Sequence, residues 1–253
     1  MPSSDNLMLG AGALSFDRFD STGARTGERH LGNCTAFSLT TEVEKVERFS
    51  SMDKAKRLYK SVIKSIKASG KITLDEYDPS NVALVLLGDE GVITQTAGSV
   101  TAASPLSFIA KKNYFLSTGK FGITNVVVKD STGATTYVLN SDYTVNSKAG
   151  SIFITQGSAI VDASTVKVSF DYPALTLPKI SGATQGKIEG FLRFQGDPTS
   201  GPAYMGEFWR ISISPDGELG FISDDWGTFN LNFDCQDDTA NHPTDPMYRV
   251  VKI

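Results

Sequence analysis

Few side chains in this sequence have the types and spacing that enzyme chemistry needs. The 253 residues include two histidines, His30 and His242, and two cysteines, Cys34 and Cys235. The chain therefore has few residues from which a histidine-based triad or a His/Cys metal centre could be formed. The chain also lacks the Gly-x-Ser-x-Gly, His-Glu-x-x-His, Cys-x-x-Cys and Gly-x-x-x-x-Gly-Lys patterns of known catalytic and phosphate-binding sites. We therefore expect no catalysis and no cofactor or metal, while the possible pairing of the two cysteines stays open.

The strongest candidate for metal binding is an acidic run near the C-terminus. Oxygen-rich clusters can hold hard cations such as Ca²⁺. This run lacks the spacing of an EF-hand loop, and a solvated acidic loop is the favoured interpretation. The residues in question are Asp224, Asp225, Asp234, Cys235, Asp237, Asp238, His242 and Asp245.

A second charged feature is a basic run with apolar residues between its charges. A helix that binds nucleic acid or membrane would be expected in a basic protein. This chain has 24 Lys+Arg against 28 Asp+Glu and a formal net charge of −4. A solvated face is therefore the plainest interpretation of the run, which contains Lys54, Lys56, Arg57, Lys60, Lys64, Lys67 and Lys71.

The elements that would position these charges are mainly short strands. Alternation of apolar and polar residues, bounded by turn residues, predicts strands in the runs 13–19, 35–46, 188–194, 207–214, 218–222 and 228–234. Pro215-Asp216-Gly217 predicts a hairpin between the two runs that flank it. Short strands within 98–177, followed by Pro173 and Pro178, predict a small inserted β meander. The sequence thus predicts a mainly β, antiparallel protein.

One short helix is clearly marked. Asp78 offers an N-cap side chain, Pro79 suits a first helical turn, and Gly88 is a natural stop. The residues between them carry no charge on any side, so we expect the helix to be buried as a plug in a larger core. The predicted plug residues are Val82, Leu84, Val85, Leu86 and Leu87.

The segment before this helix has two interpretations. Apolar residues from Ala55 to Ile66 recur at helical spacing, with lysines on the opposite face. Against a helix, several residues between Ser61 and Ile66 are poor helix formers, and Ser69-Gly70 makes a plausible turn.

Several segments in this order resemble the major tail tube proteins of long-tailed (siphovirus-type) bacteriophages. GERHLGN (27–33) is followed by EKVERFSS (44–51) and by GKITLDEYDPSNVALVLLG (70–88). The resemblance covers residues 9–95 well and returns in IEGFLRFQGDP (188–198) and SPDGELGFISDDW (214–226). Residues 98–177 resemble that family only in their general character.

The resemblance implies an antiparallel β-sandwich or barrel-like tail tube fold with one short packed helix. It assigns 1–97 and 178–253 to the tail tube domain and 98–177 to the insertion. It favours a loop at 49–58 and a hairpin at 59–77, because that family has a strand after a long loop here. It also implies that this loop contacts acidic patches on a neighbouring ring, through Phe49, Ser50, Ser51, Met52, Lys54, Lys56, Arg57 and Leu58.

As a function, the resemblance implies a structural virion protein without catalysis. Hexameric rings would stack into a tube that serves as the conduit for genome delivery. The expected partners are other copies of the chain, the tape measure, tail terminator and baseplate proteins, and double-stranded DNA that passes without specific binding; no membrane is involved. The expected location is the virion tail, assembled in the cytoplasm of a host bacterium.

Two alternatives remain. A ring-forming tube protein of a contractile secretion system shares this fold but usually lacks an insertion such as 98–177. A β-sandwich adhesion or carbohydrate-binding module would call for a secretion signal and a clustered aromatic platform, and neither pattern is found in the sequence.

Overall fold

The computed structural model describes residues 4–52 and 54–253, and it is mainly β, with 52% strand and 4% helix. Its sheets are antiparallel and it has a single short α-helix, so the predicted β-sandwich-like fold class is confirmed. A short 3-10 helix spans Ser4–Asn6. The strands and the helix are β1 (Gly12–Arg18), β2 (Arg29–His30), β3 (Cys34–Phe49), β4 (Leu58–Leu74), α1 (Pro79–Val85), β5 (Asp89–Gln95), β6 (Gly98–Val100), β7 (Leu106–Ile109), β8 (Phe115–Ser117), β9 (Thr124–Asp130), β10 (Tyr143–Asn146), β11 (Ser151–Ile154), β12 (Thr165–Tyr172), β13 (Leu175–Ser181), β14 (Ile188–Gly196), β15 (Tyr204–Asp216), β16 (Phe229–Cys235) and β17 (Tyr248–Lys252).

The chain divides into two compact units. The first runs up to Glu90 and resumes at Ile180–Ile253, and the second is Gly91–Lys179. The borders predicted from the sequence, 97/98 and 177/178, lie close to these. Strands β5 and β13 pair with each other as a separate two-stranded sheet.

The first unit is built on one sheet with the strand order β2-β1-β14-β15-β16-β4-β3. Strand β15 changes partner along its length, because Tyr204–Phe208 pair with β17 and Ile211–Asp216 pair with β16. The ring of Phe37 in β3 stacks on that of Phe194 in β14 at 5.2 Å, although these strands are four apart in hydrogen-bond order. The sheet therefore curls over, and its two ends enclose one apolar core.

Helix α1 begins and ends with complete capping. Asp78 is the N-cap, its side chain accepts a hydrogen bond from the Ser80 amide, and Pro79 follows, as predicted. At the other end, the Leu87 and Gly88 amides donate to Leu84 and Ala83 carbonyls, which is a Schellman motif.

The second unit has a core of its own. One sheet has the order β10-β11-β8, and the other has β12 between β6, β7 and β9. The inward residues of β12 alternate strictly with partly exposed ones, so Val166, Val168 and Phe170 are buried. Among the described residues, no helix has the length and hydropathy of a membrane span.

The hairpin predicted at 59–77 is wrong, because β4 is one uninterrupted strand. Gly70 does not turn the chain. It lies within the ladder, paired with Leu39 on one side and Phe233 on the other. A Cβ atom at this position would lie 2.4 Å from the Phe233 ring and 2.2 Å from the Ser38 carbonyl oxygen. The glycine is therefore required by a close approach between strands rather than by a turn.

The hairpin predicted between 207–214 and 218–222 is also wrong. Strand β15 continues to Asp216, which pairs with Asn230, so its partner is β16. The reason is burial, since Phe229, Leu231 and Phe233 of β16 all point into the core. The segment between the two strands remains a loop.

Candidate assembly surface

The outer half of the β3–β4 hairpin is the most unusual surface of the first unit. Strand β16 accompanies β4 only as far as Ser69, and beyond it the two strands pair with each other alone. From Thr41 to Phe49 and from Leu58 to Lys67, every residue is exposed. This part of the hairpin, which we call the arm (residues 42–67), therefore has neither face against the core.

The arm carries large apolar side chains where solvent-exposed strands normally carry polar ones. Three apolar pairs lie directly across it: Val43 opposite Ile66, Val46 opposite Val62, and Phe49 opposite Leu58. Odd and even positions of β3 point to opposite faces, so Val46 lies on a different face from Val43 and Phe49. Each of the six side chains is at least 44% exposed. Both faces of the arm thus present apolar surface that the subunit itself does not cover.

Ion pairs hold the two strands of the hairpin in register. The Lys64 ammonium lies 2.7 Å from a Glu44 carboxylate oxygen, and the hydrogen bonds from Lys64 and Ser65 lower the pKa of Glu44. Nearer the core, Lys67 pairs with Asp234 at 2.9 Å. These exposed pairs set alignment more than they add stability.

The tip of the arm is basic. The Ser50 amide donates to the Arg57 carbonyl oxygen at 2.8 Å and closes the loop between the strands. Lys54, Lys56 and Arg57 are exposed and form no ion pair with any residue of the described part of the chain. The loop thus combines three exposed basic side chains with the exposed Met52.

The residues predicted for a contact loop therefore occupy one end of the hairpin. Ser50, Ser51, Met52, Lys54, Lys56 and Arg57 lie in the loop itself. Phe49 and Leu58 are an exception, because they pair with each other as the last rungs of β3 and β4. Asp53, which falls within the predicted loop, lies outside the described residues.

The outer edge of β3 is unpaired among the described residues. β3 is the last strand of the sheet order and is 16 residues long. An edge of this length offers backbone donors and acceptors to another chain. The arm thus combines an open edge, two apolar faces and a charged tip.

A family model described as protein of unknown function UCP028589 matches residues 7–248. The chain belongs to this family. The matched range includes the arm, α1 and the second unit, so all three lie within the region that defines the family. No curated protein matches the chain.

The predicted acidic run does not form one cluster. Asp224 and Asp225 precede β16, whereas Asp237 and the residues after it follow it. Seven strand residues separate the two groups by roughly 20 Å. Among residues 4–52 and 54–253, no group of three or more His, Cys, Asp or Glu is arranged to hold a metal ion.

The two cysteines are free and far apart. Cys34 faces Leu74 of β4, whereas Asp234, the neighbour of Cys235, faces Ser69. Five residues along β4 correspond to about 17 Å, well beyond disulfide reach. Burial also raises the pKa of Cys235 to about 12, so its thiol is protonated at neutral pH and is a poor nucleophile.

The predicted helical plug is buried only in part. Val82, Leu84 and Val85 are buried, and Leu84 and Val85 belong to the core of the first unit. The prediction is wrong for Leu86, which caps the helix and is 37% exposed, while Leu87 is partly buried at a positive φ of 45°. The helix ends at Val85, two residues before the apolar run ends at Leu87. Gly88 then comes so close to Ser181 that a Cβ atom would lie 2.5 Å from the Ser181 carbonyl oxygen.

A second exposed surface lies where the sequence predicts the strand 218–222. The loop from Gly217 to Thr228 links β15 to β16, and we call it the acidic segment. Its Phe221, Ile222 and Trp226 are 75%, 97% and 92% exposed. Its carboxylates, Glu218, Asp224 and Asp225, are exposed as well. The wrong assignment of 218–222 to a strand concealed this surface.

An ion-pair network lies on the outer face of the sheet in the first unit. Glu189 accepts from Arg210 at 2.6 Å and also contacts Lys187. Burial disfavours the charged carboxylate, but these hydrogen bonds outweigh it and lower the pKa of Glu189 to about 2. The network stiffens the sheet and offers no proton near neutral pH.

Proposed function

We propose that the protein is a structural subunit that assembles with copies of itself into stacked rings, forming the tail tube of a long-tailed bacteriophage. The tube would serve as the conduit for genome delivery. The observation that carries this proposal is the arm. It is a paired hairpin that has apolar side chains on both faces and an open edge, yet those apolar side chains are left exposed by the described part of the subunit.

The exposed apolar surface of the arm favours association with other copies. A β-hairpin that is exposed on both faces gains little stability from its own subunit. Covering a large apolar side chain contributes roughly 1.5–3 kcal/mol when the burial is complete. Six such side chains on two faces therefore favour insertion of the arm between neighbouring copies rather than docking of one face on one partner.

The open edge supports the same conclusion. An unpaired strand of 16 residues is an aggregation hazard in a free subunit. A closed ring removes that hazard, because each open edge meets a neighbour and no end remains. The segments that resemble tail tube proteins, EKVERFSS among them, include the outer part of β3.

The overall charge fits a conduit. The net charge of −4 does not favour strong binding to the negatively charged phosphates of DNA. A tube wall of this kind would let DNA pass without specific binding.

The experiment removes the arm alone. Glu42 and Lys67 face each other across the hairpin, so residues 43–66 can be replaced by Asn-Gly, which forms a two-residue type I′ turn. We expect this variant to stay folded and monomeric, whereas concentrated wild-type protein forms rings or tubes in negative-stain images. A wild-type protein that stays monomeric, or an armless variant that assembles equally well, would contradict the proposal.

A further inference from the structure

We infer that the acidic segment, Gly217–Thr228, is the surface on which the basic tip of another copy's arm docks. The inference rests on the proposed function, because it names the partner surface for the same arm. The partner is a second copy of this chain.

The first support is the chemistry of the acidic segment. Glu218, Asp224 and Asp225 form no ion pair with any described residue. Ile222 lies between Glu218 and Asp224, Trp226 follows Asp225, and both are almost fully exposed. A monomer gains nothing from placing a tryptophan and an isoleucine in solvent beside unpaired carboxylates, whereas interfaces are enriched in such aromatic anchors.

The second support is complementarity with the tip. Lys54, Lys56 and Arg57 supply three cations for three carboxylates, none of which forms an ion pair with another described residue. A lysine or arginine also binds well over the face of an exposed indole, and the flexible Met52 side chain suits an aromatic contact. Opposite charge at the two surfaces selects this partner and sets its register.

The third support is position. The tip ends at Arg57, next to Leu58 at the start of β4, while the acidic segment ends beside Phe229, which pairs with Leu74 at the other end of β4. The 17 residues of β4 span about 53 Å. The Tyr77 hydroxyl donates to the Gly220 carbonyl oxygen at 3.1 Å and holds the segment at that far end.

Complementary surfaces at opposite ends of one strand cannot meet within a subunit. They join copies head to tail, and a head-to-tail contact that does not close extends into an open stack. The same strand pair that carries the tip away from the core therefore also fixes the distance between one layer and the next.

Charge reversal tests the assignment. The tip variant carries Lys54→Glu, Lys56→Glu and Arg57→Glu, and the segment variant carries Glu218→Lys, Asp224→Lys and Asp225→Lys. Each should raise the concentration needed for stacking by about tenfold or more, in sedimentation at low salt. The chain that carries all six substitutions should regain stacking to within about threefold of the wild type.

A matched control reverses three exposed carboxylates outside the segment, with Glu90→Lys, Asp197→Lys and Asp237→Lys. It changes the net charge as the segment variant does and should stack like the wild type. Circular dichroism of each variant verifies folding, and Trp226→Ala, which leaves the charges unchanged, should also weaken stacking.

The outcomes separate the two proposals. If the armless protein fails to assemble but the segment variant stacks like the wild type, the docking surface is wrong and the proposed function stands. A combined variant that remains as defective as either parent also overturns the docking surface. A wild-type protein that never assembles overturns both.

Discussion

The apolar pair at the middle of the arm offers a test of the proposed assembly that leaves the fold unchanged. Val46 and Val62 face each other and are 56% and 51% exposed. Complete burial of a valine side chain contributes about 1.5–3 kcal/mol, so covering the exposed half of each contributes roughly 1 kcal/mol. Replacing both with threonine keeps the branched shape and the strand preference but puts a hydroxyl group into the interface.

The double variant Val46→Thr/Val62→Thr should lose about 2 kcal/mol of assembly free energy per copy, which raises the critical concentration roughly 30-fold. Its free energy of unfolding should stay within about 0.5 kcal/mol of the wild type, because both positions are exposed in the subunit. Pelleting assays across a concentration series measure the first quantity, and urea denaturation measures the second.

The control makes the same chemical change elsewhere. Val138 and Val161, both in the second unit, are 61% and 68% exposed. Val138→Thr/Val161→Thr should assemble at the wild-type concentration. Equal critical concentrations for the two double variants, or a marked loss of stability in the arm variant, would refute the reasoning.

Three further predictions concern the fold that carries the arm. Gly70→Ala should lower the free energy of unfolding of the first unit by about 3 kcal/mol in urea denaturation, because the added Cβ meets a buried ring and a carbonyl of the next strand. The control Gly186→Ala, whose Cβ meets nothing within 4 Å, should be nearly neutral. Equal stabilities of the two variants would mean that Gly70 is not required by a close approach between strands. Leu84→Asp should abolish soluble expression, since it buries a charge where Leu84 is 3% exposed, whereas Leu86→Asp should express; loss of both would mean that Leu86 is buried after all. Glu189 has a pKa lowered from 4.5 to about 2, so its stabilising contribution is complete above pH 4.5 and is lost as the pH falls toward 2. Glu189→Gln should therefore reduce the slope of the unfolding free energy against pH between pH 4.5 and 2. An unchanged slope would mean that the ion pairs of Glu189 are absent.

The sequence predicted those elements whose signals are local. The alternation in the run 228–234 and the Asp78-Pro79 start of α1 are decided by neighbouring residues, and the structure confirms both, with β16 at Phe229–Cys235 and the N-cap at Asp78. The same holds for the mainly β class, which follows from the spacing of turn residues along the chain.

The errors arose where a distant strand decides the outcome. Gly70 has the local signature of a turn, but Phe233 and Ser38, both remote in sequence, require a glycine inside a strand. The lysines of the arm fit a helix by periodicity alone, because neither face of β4 is buried there and no alternation is imposed on it. Leu86 continues the apolar run of the helix, but as the C-cap residue of the Schellman motif it is exposed. The exposed acidic segment is missed for a similar reason: the sequence predicts a strand at 218–222 paired with 207–214, whereas β15 pairs with the more distant β16.

The pairing of β5 with β13 has a consequence for how the second unit can be replaced. The chain leaves the first unit on one of these strands and returns on the other, so the two ends of the second unit are neighbours. The entropy of closing a loop rises only slowly with its length. An unrelated domain whose termini are close together can therefore be spliced between Gln95 and Leu175, which keeps β5, β13 and the sheet that carries the arm. Residues 96–174 are thus the part of the chain that a designer can replace to display a foreign domain.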